Sequence, residues 1–155
     1  MRPSSWIVVV ALAVLGAILV EGVEAQNQDP RIGVWQNANN PGNVMNYDEI
    51  PGGGTRLRVD AVNAAGEVTS WWGYDAFFDG EWHPVTGTNR TAEEEDAWVE
   101  LKNPFTTEIR YRRPAGGMLD RVLENVVSPD GETLWVIFRN PEGIATNIVT
   151  YNRVR

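Results

Sequence analysis

The sequence predicts an all-β fold: an antiparallel up-and-down meander of about nine or ten strands that closes into a barrel. Three observations predict it. Turn-forming clusters recur along the chain, most of them 8 to 15 residues apart. The segments between them alternate apolar and polar residues with a period of two. No stretch beyond residue 25 keeps the 3.6-residue period of an amphipathic helix.

The first element is a leader. Met1–Ala25 opens with Arg2, continues through the uncharged apolar run Trp6–Val20 and ends on the polar stretch Glu21–Ala25. Val23 and Ala25 stand three before and one before the Ala25–Gln26 bond, the layout of a cleavable secretory signal. Fifteen helical residues would reach only about 22 Å into a ~30 Å hydrocarbon core, too short for an anchor. Residues 1–25 are therefore expected to be a signal peptide and 26–155 a single domain, exported to a bacterial periplasm or secreted.

The turns follow in order: Asn40-Pro41-Gly42, Pro51-Gly52-Gly53-Gly54, Ala65-Gly66, Asp79-Gly80, Gly87-Thr88-Asn89, Asn103-Pro104, Pro114-Ala115-Gly116-Gly117, Pro129-Asp130-Gly131 and Pro141-Glu142-Gly143. Proline presets φ at the leading turn position and glycine accepts positive φ where the chain reverses. Between turns, Leu57, Val59 and Ala61 share one strand face while Arg56, Arg58 and Asp60 share the other. Ile109 and Tyr111 stand opposite Glu108, Arg110 and Arg112 in the same way. Two segments are apolar on both faces, Ser70-Trp71-Trp72-Gly73-Tyr74 and Leu134-Trp135-Val136-Ile137-Phe138, and so need cover on both sides. Every link is hairpin-sized, so parallel crossovers are unavailable and the meander is antiparallel. Closing it removes two exposed edges.

Composition narrows the chemistry. The formal net charge is −8, the opposite sign from a general nucleic-acid binder, so no nucleic-acid partner is expected. No span of the mature chain approaches the ~20 apolar residues of a membrane helix. Cysteine is absent, which excludes disulfides, thiolate metal sites and a thiol nucleophile. A serine triad has only Ser70 and Ser128 to draw on after the leader, neither in a nucleophile elbow, and His83 as the one histidine base. A single imidazole also falls short of a histidine zinc site, and Pro51-Gly52-Gly53-Gly54 lacks the Gly-Lys-Ser/Thr of a phosphate loop.

The ordered motifs carry a resemblance. Gly33-Val34-Trp35 resembles the Gly-x-Trp that opens lipocalin barrels. Phe78-Asp79-Gly80-Glu81-Trp82-His83-Pro84-Val85-Thr86-Gly87, Val127-Ser128-Pro129-Asp130-Gly131-Glu132-Thr133-Leu134 and Tyr151 resemble, in the same order, motifs of a family of small exported lipocalin-like bacterial proteins, mostly uncharacterised. The chain departs from that family at His83, where tyrosine is usual, and at Gln36-Asn37-Ala38. The resemblance implies a calycin-type barrel and carries no activity across.

Carboxylates and aromatics remain. Asp75 and Asp79 can share a strand face with Glu81 across the turn, an arrangement open to acid/base work but equally to an exposed strand and a turn. Glu93-Glu94-Glu95-Asp96 lacks the alternation and glycine of a calcium loop and reads as a solvated acidic loop; Thr91-Ala92-Glu93-Glu94 can start one helical turn as a capping box. His83, between Trp82 and Pro84, reads as a packing replacement for tyrosine. Trp71 and Trp72 must point to opposite faces of their strand. Trp72, Tyr74, Arg56 and Arg58 are the candidate lining of a small-ligand site, with the inward face left open. The expected function is non-catalytic binding of a small, partly apolar ligand inside an aromatic-lined barrel, with no cofactor and no metal. The alternatives are a protein-interaction or envelope-associated module with a packed barrel, and a cofactor-free isomerase or cyclase using Asp75, Asp79 or His83.

Overall fold

A computed structural model describes residues 29–154, so the expected leader Met1–Ala25 lies outside the described residues. The strands are β1 (Gly33–Asn37), β2 (Asn43–Glu49), β3 (Thr55–Val62), β4 (Val68–Ala76), β5 (Trp82–Pro84), β6 (Thr86–Gly87), β7 (Asp96–Asn103), β8 (Thr106–Arg112), β9 (Leu119–Val127), β10 (Thr133–Arg139) and β11 (Ala145–Arg153). They form one antiparallel sheet in the order β5-β7-β8-β9-β10-β11-β1-β2-β3-β4-β6. The described residues contain no helix, and β4 lies against β5 and β7, so the sheet curls into a nearly closed barrel. Eleven strands stand where about nine or ten were expected, residues 82–87 among them dividing into two short ones.

The hairpins follow from local turn chemistry. Gly131 and Gly143 have φ of +73° and +83°, which a side chain would strain. Each donates its N–H to the carbonyl three residues back, at Ser128 and Asn140, over 2.9 Å. Alternation then sorts the side chains. Trp35, Met45, Tyr47, Leu57, Val59, Tyr74, Val99, Ile109, Tyr111, Leu123, Leu134, Val136 and Tyr151 pack into one buried cluster inside the barrel. Their neighbours in sequence, among them Arg56, Arg58, Glu108 and Arg110, turn outward. Both doubly apolar segments obey the same rule. Trp72 packs on the core while Trp71 meets Arg58 outside, and Leu134 and Val136 are buried while Ile137 pairs with the exposed Ile148 across the outer face.

Both ends of the barrel are held by arginines. At the base, Trp35 is 0% exposed and donates its indole N–H to the Arg31 carbonyl at 2.8 Å. The Arg153 guanidinium lies 4.1 Å from the Trp35 ring centre and bonds the carbonyls of Gly131, Ile32 and Pro30. At the rim, the acidic loop departs from expectation. Glu93 and Glu94 are exposed, but Glu95 is 1% exposed, with Arg121 at 2.7 Å, Arg113 at 3.3 Å and Arg90 also on its carboxylate. Asp96 is also buried and pairs with Arg112 at 2.8 Å. The solvated-loop reading therefore fails for these two residues: Arg90 is local, but Arg112 comes from the end of β8, Arg113 from the loop after it and Arg121 from β9, which the local sequence does not reveal. Thr91–Glu94 forms a turn, closed by the Glu94 N–H on the Thr91 carbonyl, rather than a helix.

Candidate binding cleft at the barrel seam

The barrel closes imperfectly at one place. Residues 82–87 rise between β4 and β7, but they divide their hydrogen bonding. Trp82, His83 and Pro84 pair with Trp98, Ala97 and Asp96 of β7. Beyond Val85, which is fully buried, Thr86 and Gly87 pair with Gly73 and Trp72 of β4. The lower part of β4, Tyr74 to Ala76, therefore has a strand partner only on its β3 side. A cleft of about 520 Å³ opens there.

Strand parity sets its contents. Trp71, Gly73 and Asp75 alternate along the outer face of β4, beside Arg56 and Arg58 of β3, whose register places them opposite Asp75 and Gly73. Gly73 contributes no side chain, which leaves a depression between Trp71 and Asp75. The glycine is required by its neighbours as well: a Cβ there would stand 2.2 Å from the Leu57 carbonyl oxygen. Phe77, His83, Pro84 and Thr86 also line the cleft.

The charged groups of the cleft are already matched. Arg56 holds Asp75 by a fork, Nε to Oδ1 at 2.7 Å and Nη2 to Oδ2 at 2.9 Å, with the two side chains 56% and 35% exposed. Arg58 donates through Nε to Asp60 at 2.7 Å and spreads its guanidinium 5.0 Å from the Trp71 ring centre. His83 Nε2 lies 3.0 and 3.1 Å from the two Asp79 oxygens, so this nitrogen carries the proton it shares with the carboxylate. That hydrogen bond, with a second from the Glu81 N–H, holds the Asp79 carboxyl below its ordinary pKa. The His83 ring also packs on Phe77, centres 5.3 Å apart.

The four candidate lining residues are thus divided by the wall. Arg56 and Arg58 stand outside and line the cleft. Tyr74 contributes to the floor of the cleft, but its ring belongs to the buried interior, where it meets Tyr111 edge-on at 6.0 Å. Trp72 packs against the core with the Arg90 guanidinium 5.2 Å from its ring centre. Inside, Asn125 donates to the Tyr47 hydroxyl at 2.6 Å, and burial pushes the phenols of Tyr74 and Tyr111 upward and that of Tyr47 to about 12. Tyr47, Tyr74 and Tyr111 thus all belong to the buried cluster inside the barrel, where the sequence placed the ligand. The carboxylates Asp75 and Asp79 are likewise separate in function, one joined to Arg56 and the other to His83. Trp71, Phe77 and Thr86 complete the cleft and were not among the sequence candidates. Trp71 was half legible: alternation sets it on the face opposite Trp72, and only the β3–β4 register puts that face beside Arg56 and Arg58.

Among the described residues no group of three or more His, Asp or Glu side chains is placed to hold a metal ion. Compared with known protein families, with curated proteins and with solved structures, the chain matches none of them.

Proposed function

We propose that this is an exported, lipocalin-like, non-catalytic binding protein whose ligand, small and partly apolar, sits in the seam cleft on the outer wall rather than in the lumen. The observation that carries this reading is the division of residues 82–87 between two neighbours, which opens a cleft beside an exposed Trp–Arg–Asp surface. The packed tyrosines of the interior support the move outward. Export and the family relation rest on the leader and on the ordered motifs described above. The apolar banks, Trp71, Phe77 and Pro84, supply burial, and the guanidiniums of Arg56 and Arg58 supply orientation.

The test is a titration with N-phenyl-1-naphthylamine, a neutral fluorophore with apolar rings. Saturable binding that is lost in Trp71→Ala and kept in Trp72→Leu supports the cleft, with both variants confirmed as folded by thermal melting. Loss in Trp72→Leu with retention in Trp71→Ala returns the ligand to the lumen.

A second reading, a protein-interaction module, draws on the apolar side chains left exposed toward the rim: Met118, Ile144 and Ile148 are 86%, 63% and 58% exposed. Sedimentation of the wild type against Ile148→Glu tests it, since a mass that falls on substitution marks this face as an interface.

A further inference from the structure

We propose that the ligand of the seam cleft is a neutral glycan; this rests on the reading of the cleft as the binding site and names its chemical class. The argument begins with charge. Both guanidiniums at the cleft have a carboxylate partner on the same wall, Arg56 with Asp75 and Arg58 with Asp60, and His83 is hydrogen-bonded to Asp79. An anion would have to displace Asp75 or Asp60 from its guanidinium. A cation would approach two guanidiniums. The whole chain carries −8, which further opposes polyanions. A lipid chain would strip water from the Arg56–Asp75 fork and return no hydrogen bond.

A pyranose suits what remains. One side of such a ring is a patch of C–H groups, and its edge carries hydroxyls that each donate and accept. The cleft offers the matching pair of surfaces. Trp71, whose ring also meets Arg58, and the 40%-exposed Phe77 give apolar ring surface in the lining beside the Gly73 depression. The Arg56–Asp75 fork gives donors and acceptors side by side, so adjacent hydroxyls can accept from the guanidinium and donate to the carboxylate. The fork is too exposed to contribute much to folding, and its alignment by the β3–β4 register is the preorganisation that such recognition needs. Thr86, paired with Gly73, adds a hydroxyl to the lining.

The experiment is an amide and indole chemical-shift titration of the purified protein with cellopentaose, xylopentaose and chitopentaose, with the neutral fluorophore N-phenyl-1-naphthylamine titrated in parallel. The expected result is a saturable shift of Trp71 and Gly73 with at least one pentasaccharide, weakened about tenfold or more by Asp75→Asn. The affinity should be insensitive to salt, as for an uncharged ligand. Phe77→Ala, at an exposed site, gives a second loss of binding should Trp71→Ala unfold. If the fluorophore binds the cleft and no pentasaccharide shifts it, the glycan assignment is wrong and the cleft reading stands. If neither probe moves the Trp71 and Gly73 signals, both are wrong. Pentasaccharide binding confined to rim residues also overturns the proposal.

Discussion

Single side chains do a large share of the closing work in this barrel. Arg153 joins three carbonyls from two separate segments while lying over Trp35, a geometry that needs the planar, many-donor guanidinium. Lysine keeps the charge but not the fork. Arg153→Lys should therefore lose about 2–3 kcal/mol in urea unfolding, with no change in the slope against denaturant. Glu95 is the counterpart at the rim. Replacing it by glutamine leaves Arg90, Arg113 and Arg121 around a neutral amide, at a cost of about 3 kcal/mol, seen as a fall of roughly 10 °C in melting temperature. The same substitution at exposed Glu93 should leave the melt unchanged within error. Nothing in the run Glu93-Glu94-Glu95-Asp96 marks which carboxylate turns inward, because two of its three partners, Arg113 and Arg121, arrive from beyond β8. Long-range pairing of this kind leaves no periodic trace.

At the scale of the strand, the sequence was far more readable. Period-two alternation set Leu57 and Val59 on one face and Arg56 and Arg58 on the other, and it separated Trp71 from Trp72; the structure turns Leu57 and Val59 inward. What it could not decide was which alternating set would meet a ligand, since parity names two faces without saying which holds an open space. Nor does anything in Trp82–Gly87 announce that one short segment will serve two neighbours. That division depends on close backbone approach: a Cβ at Gly87 would lie 2.3 Å from the Trp71 carbonyl oxygen. Gly87→Ala should consequently loosen the β4–β6 pairing first. Hydrogen exchange should accelerate about tenfold or more at the Thr88 amide, which donates to the Trp71 carbonyl at 2.9 Å, while amides between β1 and β11 keep their protection. Uniform acceleration across the sheet would show instead that the seam is not an independently opening unit.

Across the whole molecule, the buried phenols set an alkaline limit on stability. Burial holds Tyr47 at about 12, against about 10 for an ordinary tyrosine, and Tyr74 and Tyr111 shift the same way for the same reason. The folded state thus keeps protons that the unfolded chain releases. Their contribution is complete below about pH 10 and is lost as pH rises through the folded values. The urea midpoint should stay level to about pH 10 and then fall steeply, with phenolate absorbance of the buried rings appearing together with unfolding. The strand order has a kinetic consequence too. The sheet consists of two runs of sequential hairpins, β1 to β4 and β7 to β11, joined across the barrel by β1 against β11, where Trp35 meets Arg153. That single pairing spans almost the entire described chain, so the slowest loop closure in folding falls on it. A circular permutant that links Val154 to Asp29 by a short flexible segment and begins at Ala92 turns that pairing into a hairpin. The three-residue ladder between β5 and β7, the Val85–Glu95 backbone bond, the Arg90–Glu95 ion pair and the Thr91–Glu94 turn become distant in exchange. Such a chain should refold faster than the natural order while unfolding at nearly the same rate, because the contacts are the same and only the order in which they can be reached has changed.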